Sequence, residues 1–237
     1  MCFNFSNSKK AADIARRYGK KLDIIEAWRE IIEEQKQNEK YKVNFLSEQQ
    51  YNISGWSKPY CMIVTNDKEL QVMQWGLRSK TMSLKNVEKY DKEDWFINAN
   101  AEKIHNTFPY EFLINSQRCI IPVTGYIEPH YPSKESKAEA YYIHLKSQEI
   151  FSIAGVWDTW KNPETGEERV TFSLITTEAN DLLREIHNGG RHPFRMPLII
   201  KPENEEKWLN PELSSEEIDK LIKIFSDQDM EAYKVHD

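Results

Sequence analysis

Seven short runs of β-branched and aromatic residues constrain the fold of this chain more than anything else in it. They read YCMIVT, LQVMQW, RCIIPVTGYIEP, AYYIHLK, IFSIAGVW, VTFSLITT and PLIIK, with turn-forming stretches such as TNDK and NPETGEE between them. Runs of this length, closed by turn residues, predict strands of a mostly antiparallel sheet. Helical periodicity appears in fewer segments. SNSKKAADIARRYG has Ser and Asn cap candidates, an apolar stripe and a closing glycine, and DIIEAWREIIEEQKQNEK repeats the helical period with a charged face. ANDLLREIHN predicts a short helix with Asn180 or Thr177 near its cap, and PENEEKWLN and SSEEIDKLIKIF predict two late helices. The polar stretch SKTMSLKNVEKYDKED reads as a long break, an excursion from one domain, since strands lie on both sides of it. No internal repeat and no low-complexity linker divides the chain, so one α+β domain over residues 1–237 is expected.

A chain of 237 residues buries a substantial core without staples. Its three cysteines, Cys2, Cys61 and Cys119, are odd in number and far apart, and no C-x-x-C pair is present to hold zinc. That pattern excludes a disulfide framework and points to a reducing cytoplasm. No apolar run is long enough for a signal peptide or for the roughly 20 residues of a membrane helix. The formal charge of −6 argues against a phosphate-binding surface, but ten acids and three lysines lie between Pro202 and Glu231, which leaves the rest of the chain at +1. A local basic groove is therefore allowed.

The chain opens MCFNFSNSKK, with a cysteine directly behind the initiator methionine. The small side chain of Cys2 generally lets methionine removal proceed, and the mature chain would then carry an α-amine and a thiol on one residue. Read alone, Cys2 is an ordinary buried residue at the head of a strand. Asn98 in FINANAE reads as turn chemistry. Glu128 in RCIIPVTGYIEP is a carboxylate in an aromatic, β-rich setting that would raise its pKa towards proton-transfer range; a strand-end glutamate paired with an arginine is the alternative. His187, at the end of a short helix, and Trp75 in VMQWG both read by themselves as structural.

Taken in order, MC, WG, INA, IP-x-x-G-Y-x-E, AG-x-W, TTEAN and IH…RMP resemble the SOS response-associated peptidase (SRAP) family, over Met1 to about Ile200 and on to the last strand, AYKV. The resemblance implies a β-barrel-like α+β core with peripheral helices. It also implies covalent attachment to abasic sites in single-stranded DNA, through a mature N-terminal cysteine that shares a pocket with an asparagine, a glutamate and a histidine. Those positions fall here on Cys2, Asn98, Glu128 and His187. A 1,2-aminothiol condenses with the aldehyde of a ring-opened abasic sugar, first as an imine and then as a thiazolidine. Glu128 would move protons at the amine, His187 would protonate the departing sugar oxygen, and Asn98 would hold the amine or sugar oxygen.

Arg195 matches a family arginine that meets phosphate, Arg118, Arg78, Lys80, Lys85 and Arg191 would extend a basic path, and Trp75 would support the pocket more than stack a base. No metal or cofactor is implied. A monomer in the cytoplasm, associated with the nucleoid and not with membrane, is expected. The chain also departs from the family: Phe3 and Asn4 stand where Gly-Arg is frequent, Asn100 where arginine is frequent, and NGGRHPF lengthens the loop between His187 and Arg195, which makes His192 a rival to His187. A cysteine peptidase or amidase with Cys2 as nucleophile, and a DNA-binding module without chemistry, are the competing readings.

Overall fold

The computed structural model describes residues 2–26, 28–29, 50–93 and 96–235, and every predicted run folds as strand within it. A five-stranded antiparallel sheet is built from β1 (Asn4–Asn7), β2 (Gln50–Ser54), β7 (Gly125–His130), β8 (Glu139–Leu145) and β13 (Met230–Lys234), in the order β13-β8-β7-β1-β2. An eight-stranded sheet holds β3 (Tyr60–Ile63), β4 (Gln71–Trp75), β5 (Asn98–Asn100), β6 (Arg118–Val123), β9 (Phe151–Lys161), β10 (Glu168–Glu178), β11 (Arg195–Pro197) and β12 (Ile199–Ile200). Pairing in this sheet is antiparallel except where β10 runs parallel to β4 and to β5. The sheet curls into a half-barrel, as an α+β core with a few helices.

The two sheets face each other across one apolar cluster that includes Phe5, Trp75, Tyr126, Ile143 and Phe172, and a second cluster lies between the eight-stranded sheet and the helices. Strand β6 explains why RCIIPV is apolar throughout. Cys119, Ile121 and Val123 join the first cluster and Ile120 the second, so both faces of the strand are buried. The run RCIIPVTGYIEP, expected as one strand, is two strands in different sheets. They part at Thr124, whose N–H donates to Ser6 O at 2.8 Å. Gly125 is required at this corner because a Cβ there would lie 2.2 Å from Cζ of Tyr142.

The helices are short: α1 (Ala11–Tyr18), α2 (Leu84–Glu93), α3 (Tyr110–Leu113), α4 (Asp181–Ile186), α5 (Glu205–Leu209) and α6 (Ser215–Asp219). Helix α2 forms inside the stretch read as a polar break, and its Val87 packs with Met82 and Trp160 in a small cluster of its own. Asn180 caps α4 by accepting from Leu183 N–H at 3.0 Å, as its sequence predicts. The helix expected over SSEEIDKLIKIF stops at Asp219. The chain then turns so that Phe225 enters the inter-sheet core and its carbonyl accepts from Asn180 Nδ2 at 2.9 Å. The helix expected over DIIEAWREIIEEQKQNEK is present at 23–26 and 28–29, and the remainder of that stretch lies outside the described residues.

Candidate active site

Strand β1 runs antiparallel to β7, with Asn4 opposite Ile127 and Phe5 opposite Tyr126, so the residues before β1 lie alongside the end of β7 that carries Glu128. Cys2 and Glu128 are both buried there, at 2% and 0% exposure. Asn98 opens β5, and its Nδ2 donates to the carbonyl of Cys2 at 2.8 Å. The indole of Trp75, fully buried and stacked on Phe172, donates to Ile97 O at 2.8 Å and so fixes the backbone immediately before Asn98.

His187 ends α4, and its Nδ1 stands 3.5 Å from Oε2 of Glu128 and 2.9 Å from the carbonyl of Arg195. A carbonyl only accepts, so the neutral ring keeps its proton on Nδ1 and its lone pair on Nε2. The end of α4 is held on β7 by His130, whose Nδ1 reaches Glu185 O at 3.1 Å and Ile186 O at 3.2 Å. That clamp sets the imidazole against the carboxyl.

Burial dominates the electrostatics. It raises the Cys2 thiol well above its ordinary range, with the charge of Glu128 adding to the effect. Burial also pushes the Glu128 carboxyl up to about 7, against the stabilising contact of the Cys2 thiol. It pushes His187 down to about 4, and the positive charge of Arg195 acts in the same sense. At neutral pH the pair is thus a carboxyl near its midpoint beside a neutral imidazole. Among the described residues, both carboxyl oxygens of Glu128, Oδ1 of Asn98 and the hydroxyl of Tyr126 are buried without a hydrogen-bond partner. Desolvated polar atoms left unpaired are costly, and several in one place mark a site kept for chemistry.

The structure therefore brings Cys2, Asn98, Glu128 and His187 together and keeps His192 on the exposed surface. Arg195 joins them from β11. Its Nη2 donates to Thr176 O at 2.7 Å and to Glu102 Oε2 at 2.8 Å, and its side chain is 14% exposed. Burial acts to raise Glu102, yet the hydrogen bond and charge of Arg195 hold its carboxyl below the usual range.

Arg118 and Arg78 do not belong to a basic path. Both are buried, and Arg118 donates to the carbonyls of Trp208, Ile114, Asn115 and Asn210. Arg78 donates to the carbonyls of Gly76 and Leu77. Their guanidinium groups are occupied by backbone, which corrects the expectation of phosphate contact. Lys80, Lys85 and Arg191 are exposed. Sequence reasoning missed Tyr126, which lies two residues before Glu128 and hence on the same face of β7. Burial raises its hydroxyl, as do the charges of Cys2 and Glu128. It also missed His130 and Glu102, which act on the site through α4 and Arg195.

The model of the family described as SOS response associated peptidase (SRAP) matches residues 1–237 of this chain. The chain belongs to the SRAP family. Among SRAP relatives, the abasic site processing protein YoqW of Bacillus subtilis is 32% identical over 201 residues, covering 81% of this chain and 82% of that protein. The abasic site processing protein HMCES of Gallus gallus is 23% identical over 180 residues, covering 67% of this chain and 51% of that protein. A crystal structure of a protein from Bacteroides thetaiotaomicron superimposes with a TM-score of 0.86 at 36% identity, over 99% of this chain and 92% of that one. The SRAP assignment and the α+β fold thus agree from sequence and structure.

Proposed function

We propose that this SRAP protein recognises abasic sites in single-stranded DNA by forming a covalent bond to them through Cys2. The observation that carries the proposal is the convergence of a residue next to the chain start with three polar groups from distant strands and a helix. Cys2 is held by Asn98 at its carbonyl and faced by the Glu128 carboxyl, with His187 3.5 Å beyond that carboxyl. The relatives described as abasic site processing proteins point the same way.

Removal of Met1 by hydrolysis of its peptide bond frees the α-amine of Cys2. That amine attacks the aldehyde carbon of the ring-opened sugar, and loss of one water gives an imine. The sulfur then adds to the imine carbon while the nitrogen takes the thiol proton, closing a five-membered thiazolidine. A carboxyl poised at about 7 gives and takes protons with comparable ease at neutral pH, which suits Glu128 to the carbinolamine step and to the departure of Met1. His187, neutral at that pH, faces Glu128 with its Nδ1 proton and offers the lone pair of Nε2 as a base. Asn98 orients the Cys2 backbone without competing for protons. Arg195 meets a flanking phosphate by exchanging it for Glu102.

The peptidase reading requires a thiolate beside an imidazolium, and both are disfavoured here, the first by burial and the charge of Glu128, the second by burial. The test uses a single-stranded oligonucleotide with one abasic site. Wild type should give a band that survives heat and detergent. Cys2→Ser keeps the amine and should give such a band only after borohydride reduction. Equal unreduced yields from both proteins would end the thiazolidine mechanism.

A further inference from the structure

Between Pro202 and Glu231 ten acids stand against three lysines, and composition alone implies a solvated acidic surface there. The fold sorts these charges instead. All three lysines, Lys207, Lys220 and Lys223, line one cavity of about 350 Å³ together with Lys201, and of the ten acids only Glu203 reaches it. The four lysines are exposed and form a rim. Beneath them lie Ile199, Ile200 and Phe225, all buried, with Leu221 and Ile224 completing the apolar lining. Its size falls at the lower end of ligand pockets, and an apolar floor inside a charged rim is the anatomy of a binding surface.

The cavity exists because the helical pattern of SSEEIDKLIKIF is broken. Helix α6 ends at Asp219, Leu221 N–H donates to Ile218 O at 2.9 Å, and the chain beyond is pinned where the Phe225 carbonyl accepts from Asn180 Nδ2 at 2.9 Å. Phe225 is thereby drawn into the core at 7% exposure, and its neighbour Ile224 is left outside at 49%. The same two residues line a second hollow of about 320 Å³ that runs along α4 past Asn180, Asp181 and Arg184. The two hollows meet at Ile224 and Phe225.

Four like charges around one cavity repel one another. Of the four, only Lys207 makes an ion pair among the described residues, with Glu217 Oε1 at 3.7 Å. They come from four places: the residue after β12, helix α5, the cap of α6 and the turn beyond it. Charges spread in this way match several carboxylates along a chain better than one compact anion.

We propose that this groove docks a short acidic peptide segment of a partner protein, with carboxylates on the lysine rim and one bulky apolar side chain against Ile224. Nucleic acid is the rival polyanion, but its charge does not stop at the cavity. Glu206 and Asp219 adjoin Lys207 and Lys220 in the chain, so a longer polyanion meets carboxylates as it leaves the lysines. Its phosphates also gain nothing from an apolar floor. Phe225 O holds Asn180, the cap of α4, and His187 ends that helix, so a docked partner sits next to the Cys2 pocket and not in it.

The experiment applies the full chain to an array of short peptides in which acidic content rises stepwise, each made with and without one leucine or phenylalanine. Retention should rise with acidic content and require the apolar residue. The tightest peptide, labelled with fluorescein, then serves as the probe in polarisation titrations. Lys220→Ala combined with Lys223→Ala should weaken binding by roughly 2- to 30-fold, the scale of two exposed ion pairs, and added salt should weaken wild type in the same direction. Ile224→Ser, at a position already half in water, should weaken it by about tenfold. Circular dichroism of both variants should match wild type, since none of the three side chains is buried.

No retained peptide, or retention indifferent to acidic content or to the apolar residue, would overturn the proposal, as would unchanged affinity in either variant. So would weaker binding of an undamaged single-stranded oligonucleotide by the double lysine variant, which would assign the rim to DNA. Sedimentation showing that the acid-rich segment of a second copy fills the groove would overturn it as well. None of these readouts involves Cys2, so the dock stands or falls apart from the cross-linking function.

Discussion

Two buried polar regions of this molecule solve opposite problems. Around Arg118, every guanidinium nitrogen meets a carbonyl: Nε reaches Trp208 O at 2.7 Å, Nη1 reaches Ile114 O at 2.6 Å and Asn115 O at 2.7 Å, and Nη2 reaches Asn210 O. Those acceptors cluster at the ends of α3 and α5, where helix carbonyls lack intrahelical partners, and one side chain ties both helices to the start of β6. Around Glu128, by contrast, both carboxyl oxygens and Oδ1 of Asn98 are buried without a hydrogen-bond partner among the described residues. Arg118 is a charge fully served by its surroundings, and Glu128 is an acid met only loosely, by the Cys2 thiol and by His187 at 3.5 Å. The difference separates a buried charge that holds a fold from one held ready for a reactant.

If that distinction is right, the two sites should fail differently. The largest effect is expected from Glu128→Gln, which should slow cross-linking by about 10²–10⁴-fold, the usual scale of acid–base participation. Rapid-quench gels check it, and a loss below tenfold would place Glu128 among the bystanders. Arg118→Ala should cost about 2–4 kcal/mol of stability in urea unfolding, because it strands several buried carbonyls at once. The cross-linking rate per folded molecule should stay within about threefold of wild type; a large rate loss would erase the contrast.

The pH dependence of stability sharpens the comparison further. Folding raises the Glu128 pKa, so its contribution is whole below the ordinary carboxyl pKa and is lost as pH rises through about 7. Folding lowers the His187 pKa, so its contribution is present above the ordinary imidazole pKa and is lost as pH falls towards about 4. Glu128→Gln should therefore match wild type near pH 4.5 and exceed it above pH 7 by on the order of 1–3 kcal/mol. Urea titrations at the two pH values measure the gap, and an equal gap at both would remove Glu128 as its source. The smallest effect belongs to a residue that acts at one remove. His130→Ala should loosen α4 on β7 and lower the cross-linking rate by roughly tenfold through misplacement of His187. The pH profile of the reaction should keep its shape, whereas His187→Ala should change it.

The strands were legible in the sequence because each is a short apolar run closed by turn residues, and the four residues of the pocket were legible because their motifs occur in a known order. What stayed hidden depends on partners distant in sequence. No local pattern says that RCIIPVTGYIEP breaks at Thr124, since the bend is set by Tyr142 packed over Gly125 and by the bond to Ser6. Helix α2 lies in a stretch whose polarity masked the few apolar residues it buries. Arg78 and Arg118 read as surface cations because composition does not reveal that carbonyls from other elements surround them. His130 and Glu102 act through a helix end and an arginine, contacts that exist only after folding.

The central claim is that Cys2 supplies both nucleophiles, and intact-mass spectrometry of the purified adduct tests it most directly. The account predicts a single species weighing the chain without Met1, plus the abasic oligonucleotide, less one water, with fragmentation placing the sugar on Cys2. An adduct on a chain that retains Met1, or one mapped to a lysine, would contradict it.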